Sequence, residues 1–306
     1  MKPTAFVFPG QGAQTVGMGK ELRDHFTVAK EVFEEADDSL RFSISTLCFE
    51  GPEATLKLTE YTQPAVLTVS IAALRVLQSE KGVEPLLVAG HSLGEYSALV
   101  ASGGFSFADG VRTVRQRGKF MQEAVPVGEG TMAAILGMDR EEVEQICKEA
   151  ALEEVLSPAN FNCPGQIVIA GHTKAIERAI EAAKQKGKKA MPLQVSAPFH
   201  SPLMKPAGER LKEVLEGVTL QALRVPVVTN VEAEVNRSSE RVKPLLIEQV
   251  SSPVRWEESM RRMISEGIER IIEIGPGRVL SGLMKRIDSK VVTENIEDIA
   301  SLKKIT

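Results

Sequence analysis

The sequence predicts an α/β protein: a large domain on a mainly parallel sheet, with a small ferredoxin-like (βαββαβ) domain inserted into it. Three observations carry this. Short apolar runs at 4–8, 85–89 and 270–274 each end near a glycine-containing turn. Between 124 and 196 the texture changes to strand, helix, strand, strand, helix, strand. From 224 onward the first style resumes, so the large domain takes 1–123 and 197–306 and the insert takes 124–196.

Each element has its own reason. TAFVF at 4–8 is a buried strand that stops at Pro9-Gly10, and 20–38 leads into a helix. In 63–82, apolar residues at 66, 69, 73, 74 and 77 follow a helical period that Gly82 closes. The 85–89 strand enters a turn at 90–94, and the helix after it stops at Gly103-Gly104. A further helix spans 108–123, with Val111, Val114, Gly118 and Met121 on one face. The insert reads as strand 130–138, helix 139–151, strands 154–162 and 165–171, helix 173–187 and strand 188–195. RVPVVTNV at 224–231 and RIIEIGPG at 270–277 return to strand and turn.

Bulk properties remove several function classes. The 306 residues carry a formal net charge of −4, so nothing global draws the chain to nucleic acid. Cys48, Cys147 and Cys163 lie far apart and odd in number, which favours reduced thiols and a cytoplasmic setting. His25, His91, His172 and His200 are scattered, without metal-ligand spacing. The apolar run at the N-terminus is too short for a signal peptide or a membrane span. GQGAQTVG and GPGRVLSG space their glycines too widely for a dinucleotide fingerprint.

The chemistry concentrates at Gly90-His91-Ser92-Leu93-Gly94, which matches G-x-S-x-G between a strand and a helix. The glycines relieve crowding at a tight bend and let the Ser92 hydroxyl project. The Leu93 amide and the positive end of the following helix then face any oxyanion formed there. Serine needs a base to take its proton. His91, at a strand end, is expected to point away from Ser92; His25 lies in a charged helix and His172 in the insert. His200 stands where the chain re-enters the large domain, facing the seam at which sites often form. A serine esterase or thioesterase shares this turn, and a non-catalytic binding scaffold needs neither residue.

Further motifs run in order along the chain: FPGQGAQ at 8–14, YTQPA at 61–65, GHSLGEYSAL at 90–99, RG at 117–118, FHSPLM at 199–204, SPVRW at 252–256 and IGPGRVLSGL at 274–283. Together they resemble the malonyl-CoA:acyl-carrier-protein transacylase family of bacterial type II fatty acid synthesis. The resemblance spans nearly the whole chain and implies an α/β-hydrolase-like large domain. It makes Ser92 the nucleophile, His200 the base and acid, and the amides of Gln11 and Leu93 the oxyanion hole. The backbone carbonyl of Gln249 would orient the histidine in place of an acidic residue. Arg117 would grip the malonyl carboxylate, which fits its helical position beside the apolar face of 108–123. Phe199 would bound the acyl pocket, and Gln63 and Asn162 would line it. Malonyl-CoA and an acyl carrier protein are the implied partners of a monomer that needs no metal or redox cofactor. Lys188, Lys189, Lys205, Lys285 and Arg286 are candidates for a basic rim facing the acidic carrier.

Hydrolases of this type order their triad Ser, acid, His, whereas here the 108 positions between Ser92 and His200 are largely spent on the insert. A carboxylate clamp would also serve no neutral ester. Transfer is therefore the expected reaction.

Overall fold

The computed structural model describes residues 2–195 and 197–306, so the boundary expected at 196 lies outside the described residues. Its ten strands are β1 Thr4–Phe8, β2 Leu87–Gly90, β3 Gly130–Leu136, β4 Leu156–Cys163, β5 Gln166–His172, β6 Lys189–Pro192, β7 Val227–Val228, β8 Val235–Asn236, β9 Arg270–Ile274 and β10 Val292–Ile296. They form two sheets, ordered β10-β9-β1-β2-β7-β8 and β4-β5-β3-β6.

The six-stranded sheet is parallel except at its edge, where β8 runs antiparallel to β7. Every residue of β1 and β2 is buried, as a parallel sheet covered on both faces requires. Alternation sends Phe6 and Phe8 into the core beneath the helices Thr59–Lys81 and Phe107–Glu123. Ala5 and Val7 point the other way, onto Trp256, Met260 and Met263 of Trp256–Ser265 and onto Leu283 and Met284 of Val279–Ile287.

The four-stranded sheet is antiparallel throughout, and its edge order is that of a ferredoxin-like unit. The helices Arg140–Ala151 and Thr173–Gln185 cover one face, packing Val143, Ile146, Ile176 and Ala179 onto Ile135 and Ile169. Two backbone bonds stitch this sheet to the rest: Phe161 N–H to the Val254 carbonyl and Val254 N–H to the Ala159 carbonyl, both 2.9 Å.

Several elements differ from expectation. The helix read at 20–38 is two, Lys20–His25 and Thr27–Leu40, separated by an extended Phe26 (φ −126°) whose ring packs on the core. The helix expected from 63 begins at Thr59, with Pro64 inside it and only its own N–H lost from the ladder. The strand at 224–231 shrinks to β7, because the chain turns out at Thr229 to carry Asn230 toward the 90–94 turn. Helices at Ile44–Glu50, Glu53–Leu56, Lys205–Glu216, Val242–Gln249, Trp256–Ser265 and Val279–Ile287, with β8 and β10, add to the elements the sequence announced. Among the described residues, no helix is long and apolar enough to cross a membrane.

Candidate active site

The site grows from two adjacent strand ends, since Phe8 of β1 lies beside Gly90 of β2. A Cβ on Gly90 would fall 1.9 Å from the Gly94 carbonyl, and one on Gly94 would fall 2.0 Å from the Phe8 oxygen. Only glycine lets the strand fold back this sharply onto the helix Gly94–Ala101 and lets that helix rest on β1. Ser92 between them is held at φ 51°, in the left-handed region. Asn230 clamps the bend: its Oδ1 accepts from the Ser92 amide and its Nδ2 donates to the Gly90 carbonyl, both at 2.7 Å.

The seam residue His200 also has positive φ, at 59°, and is buried. Its Nε2 lies 2.7 Å from Ser92 Oγ, while Nδ1 lies 2.9 Å from the Gln249 carbonyl and 3.2 Å from that of Ser252. Carbonyl oxygens only accept, so Nδ1 carries the hydrogen and the Nε2 lone pair faces the serine. Burial, then the charge of Arg117, pushes the imidazole down to about 3, so it is a neutral base at neutral pH.

Arg117 is 1% exposed. Its Nη1 donates to Gln63 Oε1 at 2.8 Å, and its Nη2 to Gln249 Oε1 at 2.9 Å and Ser92 Oγ at 3.1 Å. The guanidinium carbon sits 5.5 Å from the centre of the Tyr96 ring. Gln249 in turn donates from Nε2 to Glu95 Oε2 at 2.8 Å and to the Ser92 carbonyl at 3.1 Å. Burial raises the Glu95 carboxyl to about 7 against the pull of Gln249, Asn230 and Arg117.

These groups surround a cavity of about 120 Å³. Gln11, Gln63, Ser92, Leu93, Arg117 and Met121 form one side, with Phe199 and His200 at the seam. Met132 of β3, Asn160 of β4, and Leu193 and Val195 after β6 close the other. Among the described residues the Gln11 and Leu93 amides donate to no protein acceptor, and both residues border the cavity beside Ser92. A positively charged clamp, a serine–histidine pair and two open amides in a small, largely apolar cavity can form and break an acyl ester whose acyl group carries a carboxylate.

Two expectations need correction. His91 does not turn away but lines the same cavity, with Nε2 2.9 Å from Asn162 Oδ1. Asn162 consequently stands behind His91, and Asn160 takes the wall position. Irregular pairing of β4 at Phe161/Cys163 breaks the alternation that would give both asparagines the same outlook. His25 bonds to the Glu21 carbonyl and His172 accepts from the Val155 amide; neither lines this cavity. In the basic rim, Lys188 donates to the Gly137 carbonyl, and Arg286 to Gln166 and the Pro164 carbonyl, so both serve as fasteners.

Glu95, Asn230 and Ser252 belong to the site without having been singled out from the sequence. Glu95 left a signal as an acidic residue in the first turn of its helix, Ser252 only as the first residue of the SPVRW motif, and Asn230 left none.

Compared with known proteins, residues 5–304 match the family described as acyl transferase domain. The chain is 53% identical to a protein named malonyl CoA-acyl carrier protein transacylase from Bacillus subtilis, over 97% of this chain and 94% of that one. It superimposes on the crystal structure of an acyl carrier protein S-malonyltransferase from Vibrio cholerae with a TM-score of 0.97 at 44% identity, covering 99% of this chain and 100% of that one. A malonyl-transacylase in complex with its type II polyketide acyl-carrier protein matches with a TM-score of 0.96 at 47% identity, over 98% of each chain.

Proposed function

The chain belongs to the family of malonyl CoA-acyl carrier protein transacylases, and we infer from that membership and the geometry of its cavity how it carries the malonyl group. It is an acyl-carrier-protein S-malonyltransferase, taking malonyl from coenzyme A and delivering it to the phosphopantetheine thiol of an acyl carrier protein. The observation that carries the residue assignment is Ser92 Oγ, 2.7 Å from a neutral imidazole nitrogen and 3.1 Å from a buried guanidinium.

The transfer runs in two steps. His200 Nε2 takes the Ser92 proton as Oγ attacks the thioester carbonyl, and the oxyanion lies toward the Gln11 and Leu93 amides. The C–S bond breaks, His200 returns the proton to the departing thiolate, and malonyl remains as an ester on Ser92. In the second step Nε2 accepts the proton of the carrier thiol, the sulfur attacks the ester carbonyl, and Ser92 leaves with that proton. Electrons and protons balance in this sequence without a metal or redox cofactor. Arg117 turns from Ser92 Oγ to the malonyl carboxylate, exchanging one neutral partner for an anion it can grip with two parallel bonds. Gln63 steadies that guanidinium, and Phe199 closes the acyl end of the cavity.

We take residues 124–196 as the inserted unit that supplies the far wall. The three free, buried cysteines accord with a cytoplasmic place of work.

Intact-mass spectrometry tests the assignment. Malonyl-CoA should add one malonyl group that a holo carrier protein then removes, and Ser92→Ala should take up none. A persistent adduct on Ser92→Ala would place the nucleophile elsewhere, and rapid release of free malonate without carrier would favour a hydrolase.

A further inference from the structure

Glu95 stands three positions after the nucleophile and is 2% exposed. No step of the transfer uses it, yet a carboxylate so deeply buried is expensive unless donors hold it. Its Oε2 receives two, the Asn230 amide at 3.0 Å and Gln249 Nε2 at 2.8 Å.

The second bond decides which way a side-chain amide faces. Gln249 offers an NH2 end and a carbonyl end. Glu95 Oε2 already accepts from the Asn230 backbone amide, so that oxygen takes the NH2 end, which also reaches the Ser92 carbonyl at 3.1 Å. The carbonyl end is then left to accept from Arg117 Nη2 at 2.9 Å. Turned the other way, the amide would set N–H groups against the guanidinium N–H groups and against nothing that accepts.

We propose that Glu95 is a positioning residue for acyl selection: its carboxylate locks the Gln249 amide with the oxygen toward Arg117, and so holds the guanidinium where the carboxylate of the acyl group arrives. This rests on the malonyl-transfer reading above and adds a determinant of specificity two residues removed from the substrate.

The measurement is kcat/KM for malonyl-CoA and for acetyl-CoA with a holo carrier protein, expressed as their ratio, with thermal melting as a folding control. Glu95→Leu lowers the ratio about tenfold, and Gln249→Leu does the same. The double variant lowers it no further than either alone, because Glu95 acts through Gln249. A merely structural role would reduce both acyl groups equally and leave the ratio at the wild-type value; that result overturns the proposal, as does a double variant whose loss is the product of the two. If Glu95→Leu does not fold, Glu95→Gln keeps the shape and one acceptor oxygen but removes the charge. An approximately threefold fall in its ratio supports the proposal, and an unchanged ratio overturns it. A wild-type chain with no preference for malonyl would defeat the underlying reading before any variant is made, so the two failures are distinguishable.

Discussion

At the residue scale, Arg117 has two effects that one substitution separates. It offers the acyl carboxylate a partner, and its charge is the second cause, after burial, of the lowered basicity of His200. Arg117→Gln is therefore expected to reduce malonyl transfer about a hundredfold, the order of a lost buried charge-assisted pair, and acetyl transfer far less. The pH profile should move as well. A histidine lowered to about 3 stays neutral, and able to accept a proton, until the pH falls far below the ordinary value near 6.5. The acidic limb of kcat/KM for acetyl-CoA should thus lie well below 6.5 in the native chain and shift upward in Arg117→Gln, since the repulsion that opposed the imidazolium is gone. An unmoved limb would mean that the guanidinium charge is screened from His200. The turn that places Ser92 and Leu93 was legible because it is written in consecutive residues, whereas Gln11 came with the family resemblance. His200 was legible from its place at the seam and its motif; setting His91 aside rested on a direction that the fold does not keep. Glu95, Asn230 and Ser252 were not legible, because their partners lie 154, 138 and 52 positions away and only the closed fold brings them together.

At the scale of elements, the glycines at 90 and 94 set how closely β2 folds back on its helix and how closely that helix rests on β1. A Cβ at 94 would meet the backbone oxygen of Phe8 at 2.0 Å, and no side-chain rotation relieves a contact with backbone. Gly94→Ala should cost about 3 kcal/mol or more in urea unfolding. Gly282 provides the contrast, since it lies in the helix Val279–Ile287 with open space where its Cβ would go. Gly282→Ala should stabilise by about 0.5–1 kcal/mol through helix propensity alone. Should Gly94→Ala unfold no earlier than Gly282→Ala, close approach is not what glycine serves at 94. The insert was the most legible part of the fold, because its helices are amphipathic and its strands are short apolar runs between them, with Gly165 at positive φ separating two. Less was legible where an element is short or made by its surroundings. Ile44–Glu50 and Glu53–Leu56 are too brief to show a period, and Val225 and Val227 read as one strand until the turn at Thr229 cuts it.

At the scale of the whole molecule, the cavity exists because two sheets meet: Met132, Ala134, Ala159, Val168 and Ala170 of the four-stranded sheet pack into the core that Phe6 and Phe8 share, and backbone bonds fasten the sheets edge to loop. The backbone part of that fastening is the pair of bonds between β4 and Val254, and the next residue but one, Trp256, is the sole tryptophan of the chain. Its indole is buried, and its ring lies 5.5 Å from that of His91, which borders the cavity. Trp256 therefore senses the joint between the two sheets. With the stitch intact, Trp256 fluorescence and far-UV circular dichroism should report one coincident unfolding transition. Val254→Pro deletes the N–H that meets the Ala159 carbonyl and leaves that buried oxygen without its donor, a loss of about 1–3 kcal/mol. Because the loss falls on the joint between the sheets and not on the hydrogen-bond ladder of either, the two probes should then separate. Malonyl transfer should drop together with them, as Asn160 and Met132 draw back from the cavity they help to close. If Val254→Pro melts in a single step at the native midpoint and transfers malonyl at the native rate, the sheets are held together, and the cavity kept shut, by packing alone.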